Sequence, residues 1–262
     1  MAGGRVRSPT PDRLVWTLVL FGLLAVPPVF AIVKAKPPGR QGLHELRFIS
    51  SHPLDVPEPS DLTIDEAGTS LWTVADGSGK VYELTLDGHV VRALPFVGED
   101  LEGIAYDRSD RTLWVAEENR REIVHLNLDG EVLSRHTLGL QGEKNSGLEG
   151  LCLDDKGHMF ALNEKRPGLF LELDGNTSIA VRREVTFARD YSGITYDRKK
   201  GCFWIVSDQS QSLYAWKPGA GVLKEYSLPF RKAEGVAVDD ASKRVYIVSD
   251  SEKRLYVYRL ED

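Results

Sequence analysis

Beyond about residue 42, apolar residues fall in short runs separated by polar turns, and the runs recur in one fixed order. Five segments open with an apolar run closed by aspartate: Leu62-Thr63-Ile64-Asp65, Ile104-Ala105-Tyr106-Asp107, Leu151-Cys152-Leu153-Asp154, Ile194-Thr195-Tyr196-Asp197 and Val236-Ala237-Val238-Asp239. A second run is centred on an aromatic (Trp72, Trp114, Phe160, Trp204, Tyr246) and ends in an acid (Asp76, Glu118, Glu164, Asp208, Asp250). A third run follows, such as Val81-Tyr82-Glu83-Leu84 or Leu213-Tyr214-Ala215-Trp216. It usually leads to a glycine turn: Asp87-Gly88, Asp129-Gly130, Asp174-Gly175, Pro218-Gly219. Asp-Gly pairs suit hairpin turns that need positive φ.

The repeat length, about 41 to 47 residues, is that of a four-stranded propeller blade. The runs are short and rich in β-formers, and no sustained 3.6-residue period follows residue 40, so helical repeats are disfavoured. The last repeat stops at its third run, around residues 256–260, while the segment 44–49 precedes the first repeat with no blade of its own. Placing that orphan as the missing outer strand closes the ring and removes a sheet edge. The expected fold is an all-β, five-bladed β-propeller of four-stranded antiparallel blades over residues 43–262, closed by an N-terminal strand.

The first forty residues differ in character. Residues 14–33 form an apolar stretch of about twenty residues without a charge, the length of one membrane-spanning helix. Arg5, Arg7 and Arg13 precede it; Lys34, Lys36 and Arg40 follow. Pro27 and Pro28 would kink or end such a helix. The reading is a cytoplasmic tail (1–13), a transmembrane signal anchor (14–33) and a linker (34–42). A cleaved signal peptide, cut near Val29-Phe30-Ala31, is the rival. Either exports the propeller, so the expected placement is a single-pass membrane protein with its domain on the extracytoplasmic side.

Composition adds exclusions. Hydrophobic residues at 42% and charged residues at 27% are globular rather than disordered proportions. A net charge of -6 argues against nucleic acid, which demands a basic face. The 2 cysteines, Cys152 and Cys202, fit neither a disulfide framework nor a zinc spacing. Cys152 stands where other repeats carry Thr63, Ala105, Thr195 and Ala237, as a small core residue would. His125 and His158 read as structural. Asn176-Thr177-Ser178 is a glycosylation sequon only in a eukaryotic secretory pathway.

Chemistry concentrates at one end of the predicted axis. Residues just before the first strand of each blade (Ser60, Glu102, Glu149, Ser192, Glu234) and at the end of the second (Asp76, Glu118, Glu164, Asp208, Asp250) lie about sixteen apart in every repeat, and antiparallel strands bring both sets to one face. Glu102, Glu149 and Glu234 each precede a glycine. Converging carboxylates repel unless neutralised by protons, basic side chains or a cation. An oxygen-rich, sulfur-free set selects a hard cation, calcium first. The expected metal ligands are therefore Glu102, Glu149, Glu234, Asp76, Glu118, Asp208 and Asp250. Arg120, Arg121, Lys165 and Arg166, just past two of the second strands, offer the alternative of basic neutralisation. The bland alternative makes the second-strand acids turn formers, and Glu117, Asn163 and Ser207 are neighbours that compete to point inward.

The Glu-Gly-Ile/Leu/Val and Ser-Gly-Ile strand starts, the Leu-Trp-Val-Ala-Glu-Glu-Asn and Phe-Trp-Ile-Val-Ser-Asp second strands and the apolar N-terminus together resemble the SdiA-regulated, YjiK-like proteins over residues 43–262. The resemblance implies a bacterial envelope β-propeller of poorly defined biochemical function. Ser60 and Ser192 depart from an all-Glu ring. No G-x-S-x-G elbow, H-E-x-x-H pair or phosphate loop is present. The leading expectation is a non-catalytic module that binds a divalent cation, a small ligand or an envelope protein at the channel mouth. The competing ones are a calcium-dependent, lactonase-like hydrolase and a propeller serving protein contacts alone.

Overall fold

The computed structural model describes residues 46–140, 147–175 and 177–260, together with Met1 and Gly3. The expected tail, anchor and linker at 1–42 lie outside the described residues apart from Met1 and Gly3, as does Asn176 of the sequon. Among the described residues no helix is long and apolar enough to cross a membrane.

Strand β1 (Arg47–Pro53) comes first, then four complete blades and one of three strands. Blade 1 is β2 (Pro59–Ile64), β3 (Leu71–Ala75), β4 (Lys80–Leu84) and β5 (Val90–Ala93). Blade 2 is β6 (Leu101–Asp107), β7 (Thr112–Glu117), β8 (Glu122–Asn127) and β9 (Val132–Thr137). Blade 3 is β10 (Leu148–Leu153), β11 (Met159–Asn163), β12 (Leu169–Leu173) and β13 (Ile179–Glu184). Blade 4 is β14 (Gly193–Asp197), β15 (Cys202–Ser207), β16 (Ser212–Lys217) and β17 (Gly221–Ser227). Blade 5 is β18 (Ala233–Asp239), β19 (Arg244–Ser249) and β20 (Arg254–Arg259). Each forms one four-stranded antiparallel sheet, and the fifth is completed by β1 in the order β1-β20-β19-β18. The predicted closure is present, although the closing strand runs several residues further along the chain than the segment 44–49 suggested. Arg254 reinforces the seam: its guanidinium donates to the Ser51 carbonyl (3.1 Å) and hydroxyl (2.9 Å).

Burial is graded by radius. The second strands β3, β11 and β15 are buried along their whole length, because a neighbouring blade covers each face. The outer strands β5 and β9 are largely exposed. The core is therefore divided into five wedges, one between each pair of adjacent blades. The aromatic of each second strand fills the wedge toward the following blade: Trp72 against Ile104 and Leu113, Phe160 against Ile194, Trp204 against Val236, Tyr246 against Leu62. Burying such a ring contributes about 1.5–3 kcal/mol, which explains why the aromatic is the most regular feature of the repeat.

The aspartates closing the first strands are structural. Asp65, Asp107, Asp154 and Asp239 accept backbone N–H groups from the turns that follow them. Asp197 also accepts the Trp204 indole N–H at 2.9 Å. The cysteines are buried and free, with burial raising the Cys152 thiol well above its ordinary value and lifting Cys202 to about 11. His125 stacks on Trp114 with ring centroids 3.9 Å apart, and His158 is tied to Asp154 in its own turn.

Candidate functional site: an acidic mouth on the propeller axis

Only a small residue fits where five inner strands meet. A Cβ on Gly103 would lie 2.2 Å from the Glu149 carbonyl oxygen, and one on Gly193 would lie 2.4 Å from the Glu234 carbonyl oxygen. Gly150 and Gly235 occupy the same station in their blades. In blade 1 the station holds Asp61, fully buried, whose carboxylate reaches across the axis to accept the N–H of Ile104 (2.9 Å) and of Leu151 (3.3 Å). Burial raises the Asp61 pKa well above the usual carboxylate range, against the pull of the backbone N–H groups it accepts. Four glycines and one aspartate thus pinch the axis.

Immediately beside this pinch, the inner strands carry a shared irregularity. Pairing jumps from Pro59 to Asp61, from Leu101 to Gly103 and from Ala233 to Gly235, leaving Ser60, Glu102 and Glu234 as bulge residues. Blade 3 shows the same shift between Leu148 and Leu151, around Glu149. A bulge re-aims a side chain that the pleat would have placed against a neighbouring sheet. Here it turns the predicted inner ring into a common cavity of about 290 Å³. Asp76, Glu164, Asp208 and Asp250 join it from the second strands, and Glu58 and Asp190 from two residues before the inner ring.

Of the seven predicted ligands, six line this cavity. Glu118 does not: it lies behind Asp100, with Oε1 accepting the Gly147 N–H at 2.7 Å. The neighbours that competed for the inward direction are used elsewhere. Glu117 pairs with Arg135 at 2.7 Å, Asn163 donates to the Pro167 carbonyl at 2.9 Å, and Ser207 donates to Asp190.

The proposed basic neutralisers divide. Arg120 pairs with Glu99 at 2.8 Å, and Arg121 donates to the Leu140 carbonyl at 2.7 Å. Lys165 does reach the mouth and pairs with Glu164. Sequence reading missed Lys232, which lies 3.1 Å from Glu234 and 4.0 Å from Asp208. It also missed Asp100, which contacts Asp76 and Glu118 carboxyl to carboxyl. Both stand two residues before an inner-ring glutamate, and both have positive φ (60° and 52°). Their signal was a polar or charged residue at that station in four of the five blades, Glu58, Asp100, Asp190 and Lys232, with Gly147 in the remaining one.

The mouth is consequently lopsided. Lysines face Glu164, Asp208 and Glu234. Asp76, Asp100 and Glu102 have oxygens within 4.8 Å of one another and no lysine or arginine in ion-pair contact among the described residues. At an effective dielectric of about 20, two charges at that separation repel by about 3 kcal/mol. Burial first, then the surrounding acids, push Glu102 up to about 9. Glu149 is driven well above its ordinary value for the same reasons, and Asp76 and Asp100 are raised as well. Glu234 is raised by burial but pulled back by Lys232. Asp100 Oδ2 is buried and receives no hydrogen bond among the described residues. A buried, donor-less carboxylate oxygen beside two further carboxylates has the character of a hard-cation ligand set.

Solved structures share the architecture at low identity. A glutaminyl cyclase from Myxococcus xanthus aligns with a TM-score of 0.65 and 15% identity, over 83% of this chain and 99% of that one. A protein of unknown function from Bacteroides caccae aligns at 0.54 and 13%, over 72% of this chain and 70% of its own. A gluconolactonase from Xanthomonas campestris aligns at 0.54 and 14%, over 82% and 98%. Identities this low establish a shared fold. The sequence match is more particular: with the repeat, the ring closure and the acidic mouth all in place, and with the SdiA-regulated family model matching residues 52–259, this chain belongs to the SdiA-regulated family.

Proposed function

We propose that this chain is a membrane-tethered, extracytoplasmic propeller that captures a divalent cation, calcium foremost, at its acidic mouth, and that the loaded mouth binds a small ligand or an envelope protein without catalysis. The observation that carries this reading is the donor-less Asp100 Oδ2 set against Asp76 and Glu102. Calcium takes six to eight oxygens in flexible geometry. Asp76, Asp100 and Glu102 would supply the first of them, Glu149 stands beside them, and Glu118 fixes Asp100 from behind. The cation would compete with the protons that these raised pKa values favour. Tethering is supported by the uncharged stretch at 14–33.

Calorimetry of the detergent-solubilised full chain, stripped with chelator and titrated with calcium, tests the cation. One ion per chain is expected, with Glu102→Gln and Asp100→Asn each weakening binding at least tenfold. Absence of binding, or unchanged affinity in both variants, defeats the reading. Tethering is tested separately: carbonate-washed membranes should retain the full chain and lose a chain lacking residues 1–42.

One observation favours a hydrolytic alternative. Glu149 sits next to the cluster, and burial with the surrounding acids raises its pKa well above the ordinary value, as suits a general acid near a cation. Turnover of a lactone that needs calcium and vanishes in Glu149→Gln would replace the binding-only reading.

A further inference from the structure

The opposite end of the axis carries a different chemistry. There the residue after each closing aspartate forms a ring of its own: Glu66, Arg108, Asp155, Arg198 and Asp240. Blades 2 and 4 repeat the string Tyr-Asp-Arg, at 106–108 and 196–198. The two arginines turn inward to line a small cavity of about 30 Å³ with Thr63, Tyr106, Thr195 and Tyr196, whereas the three acids at the same station do not line it. Glu66 is taken by Arg111, at 3.0 Å. Asp155 is exposed. Asp240 lies carboxyl to carboxyl with Asp197 and accepts the Arg198 backbone N–H. Both arginines are half-buried, and among the described residues neither has a carboxylate within 4.0 Å. Burial first, then the nearby charge of Arg198, lower the Arg108 pKa from its ordinary value, against the opposing pull of Asp240, Asp65 and Glu66. Thr63 Oγ1 accepts the Tyr106 N–H at 3.3 Å, so its own O–H remains to donate.

Two guanidinium groups lining one cavity, with no carboxylate in ion-pair contact among the described residues, offer a shared site for an anion. We propose that this second mouth binds a small oxyanion, a phosphate or carboxylate group, between Arg108 and Arg198, with the threonine hydroxyls donating beside it. The cavity is small, about 30 Å³, so any ligand larger than a single anionic head keeps its body in solvent. Arginine suits the role because its planar fork matches both oxyanions.

Inorganic phosphate and acetate are the probes for the two sources, with sodium chloride at matched ionic strength as reference. Thermal unfolding of the full chain should shift upward by several degrees in phosphate or acetate relative to chloride, and the arm with the larger shift names the preferred head group. Arg198→Gln and Arg108→Gln should each weaken the effect at least tenfold in the concentration required, while Lys232→Gln, at the acidic mouth, should leave it intact. Line broadening of the phosphate 31P resonance by the wild-type chain gives a second readout that depends on no variant. Equal shifts in chloride, an undiminished effect in both arginine variants, loss of the effect in Lys232→Gln, or no 31P broadening together with no acetate shift would overturn the proposal.

Discussion

Asp61 shows how one departure from a repeat sets the properties of an axis. Its four counterparts are glycines because the inner strands leave no room for a Cβ; the aspartate fits because its side chain lies in the axis and bonds to Ile104 and Leu151. Replacing it by leucine would leave two buried N–H donors without an acceptor, at about 1–3 kcal/mol each. Asparagine keeps an accepting oxygen and removes the ionisation. The sign follows from the raised native pKa: the wild-type contribution is complete below the unfolded value and is lost as pH rises through the folded one. Asp61→Asn should therefore melt close to wild type at pH 5 and progressively above it toward pH 9, while Asp61→Leu melts well below at every pH. Thermal scans of the three proteins across that range check both, and an Asn variant that lost ground as pH rose would contradict a raised pKa at Asp61.

At the scale of elements, the repeat made much of the fold legible. Wedge aromatics, closing aspartates and the two acidic rings recur at matching stations, so each blade vouched for the others, and the orphan strand followed from counting. Three things were not legible, each for a physical reason. The limits of β1 were misplaced because an edge strand is mostly exposed and shows no clean alternation. The bulges depend on which residue pairs with which across the ladder, which no single strand reveals. Asp100, against Asp76, and Lys232, in the mouth, both stand where the backbone adopts positive φ, uncommon for non-glycine residues and not written in the repeat. The closing strand also yields a prediction. A chain starting at residue 46 keeps β1 and should unfold cooperatively as a monomer. One starting at residue 54 uncovers the β20 edge and should lose much of its stability and self-associate, as size-exclusion chromatography and calorimetry would register. Monomeric, cooperative behaviour of the shorter chain would mean that β1 is dispensable.

For the whole molecule, the axis is bipolar: carboxylates gather at one mouth, guanidinium groups at the other, with the glycine pinch and Asp61 between. The acidic end makes stability depend on pH in a definite direction. Glu102 is pushed from an ordinary 4.5 to about 9, and its neighbours are raised too. In chelator, the stability these groups contribute is complete below about pH 4.5 and declines as pH rises toward 9. A cation competes with those protons, so calcium should stabilise little at pH 5 and most near pH 9. Melting temperatures at pH 5, 7 and 9, with chelator and with calcium, test this. A calcium increment that shrank with rising pH would place the ion elsewhere.

The seam between β1 and β20 joins residues about 200 positions apart, Ser51 to Arg254 among them. As the chain emerges from the ribosome, the earliest strand of the ring therefore has nothing to pair with until the last strand has been made. Four blades can assemble in order while that segment waits, and the circle locks only at the end. Any truncation near the C-terminus would then strand both partners at once, so the final hairpin, whose turn carries Asp250 into the acidic mouth, governs whether that mouth forms at all.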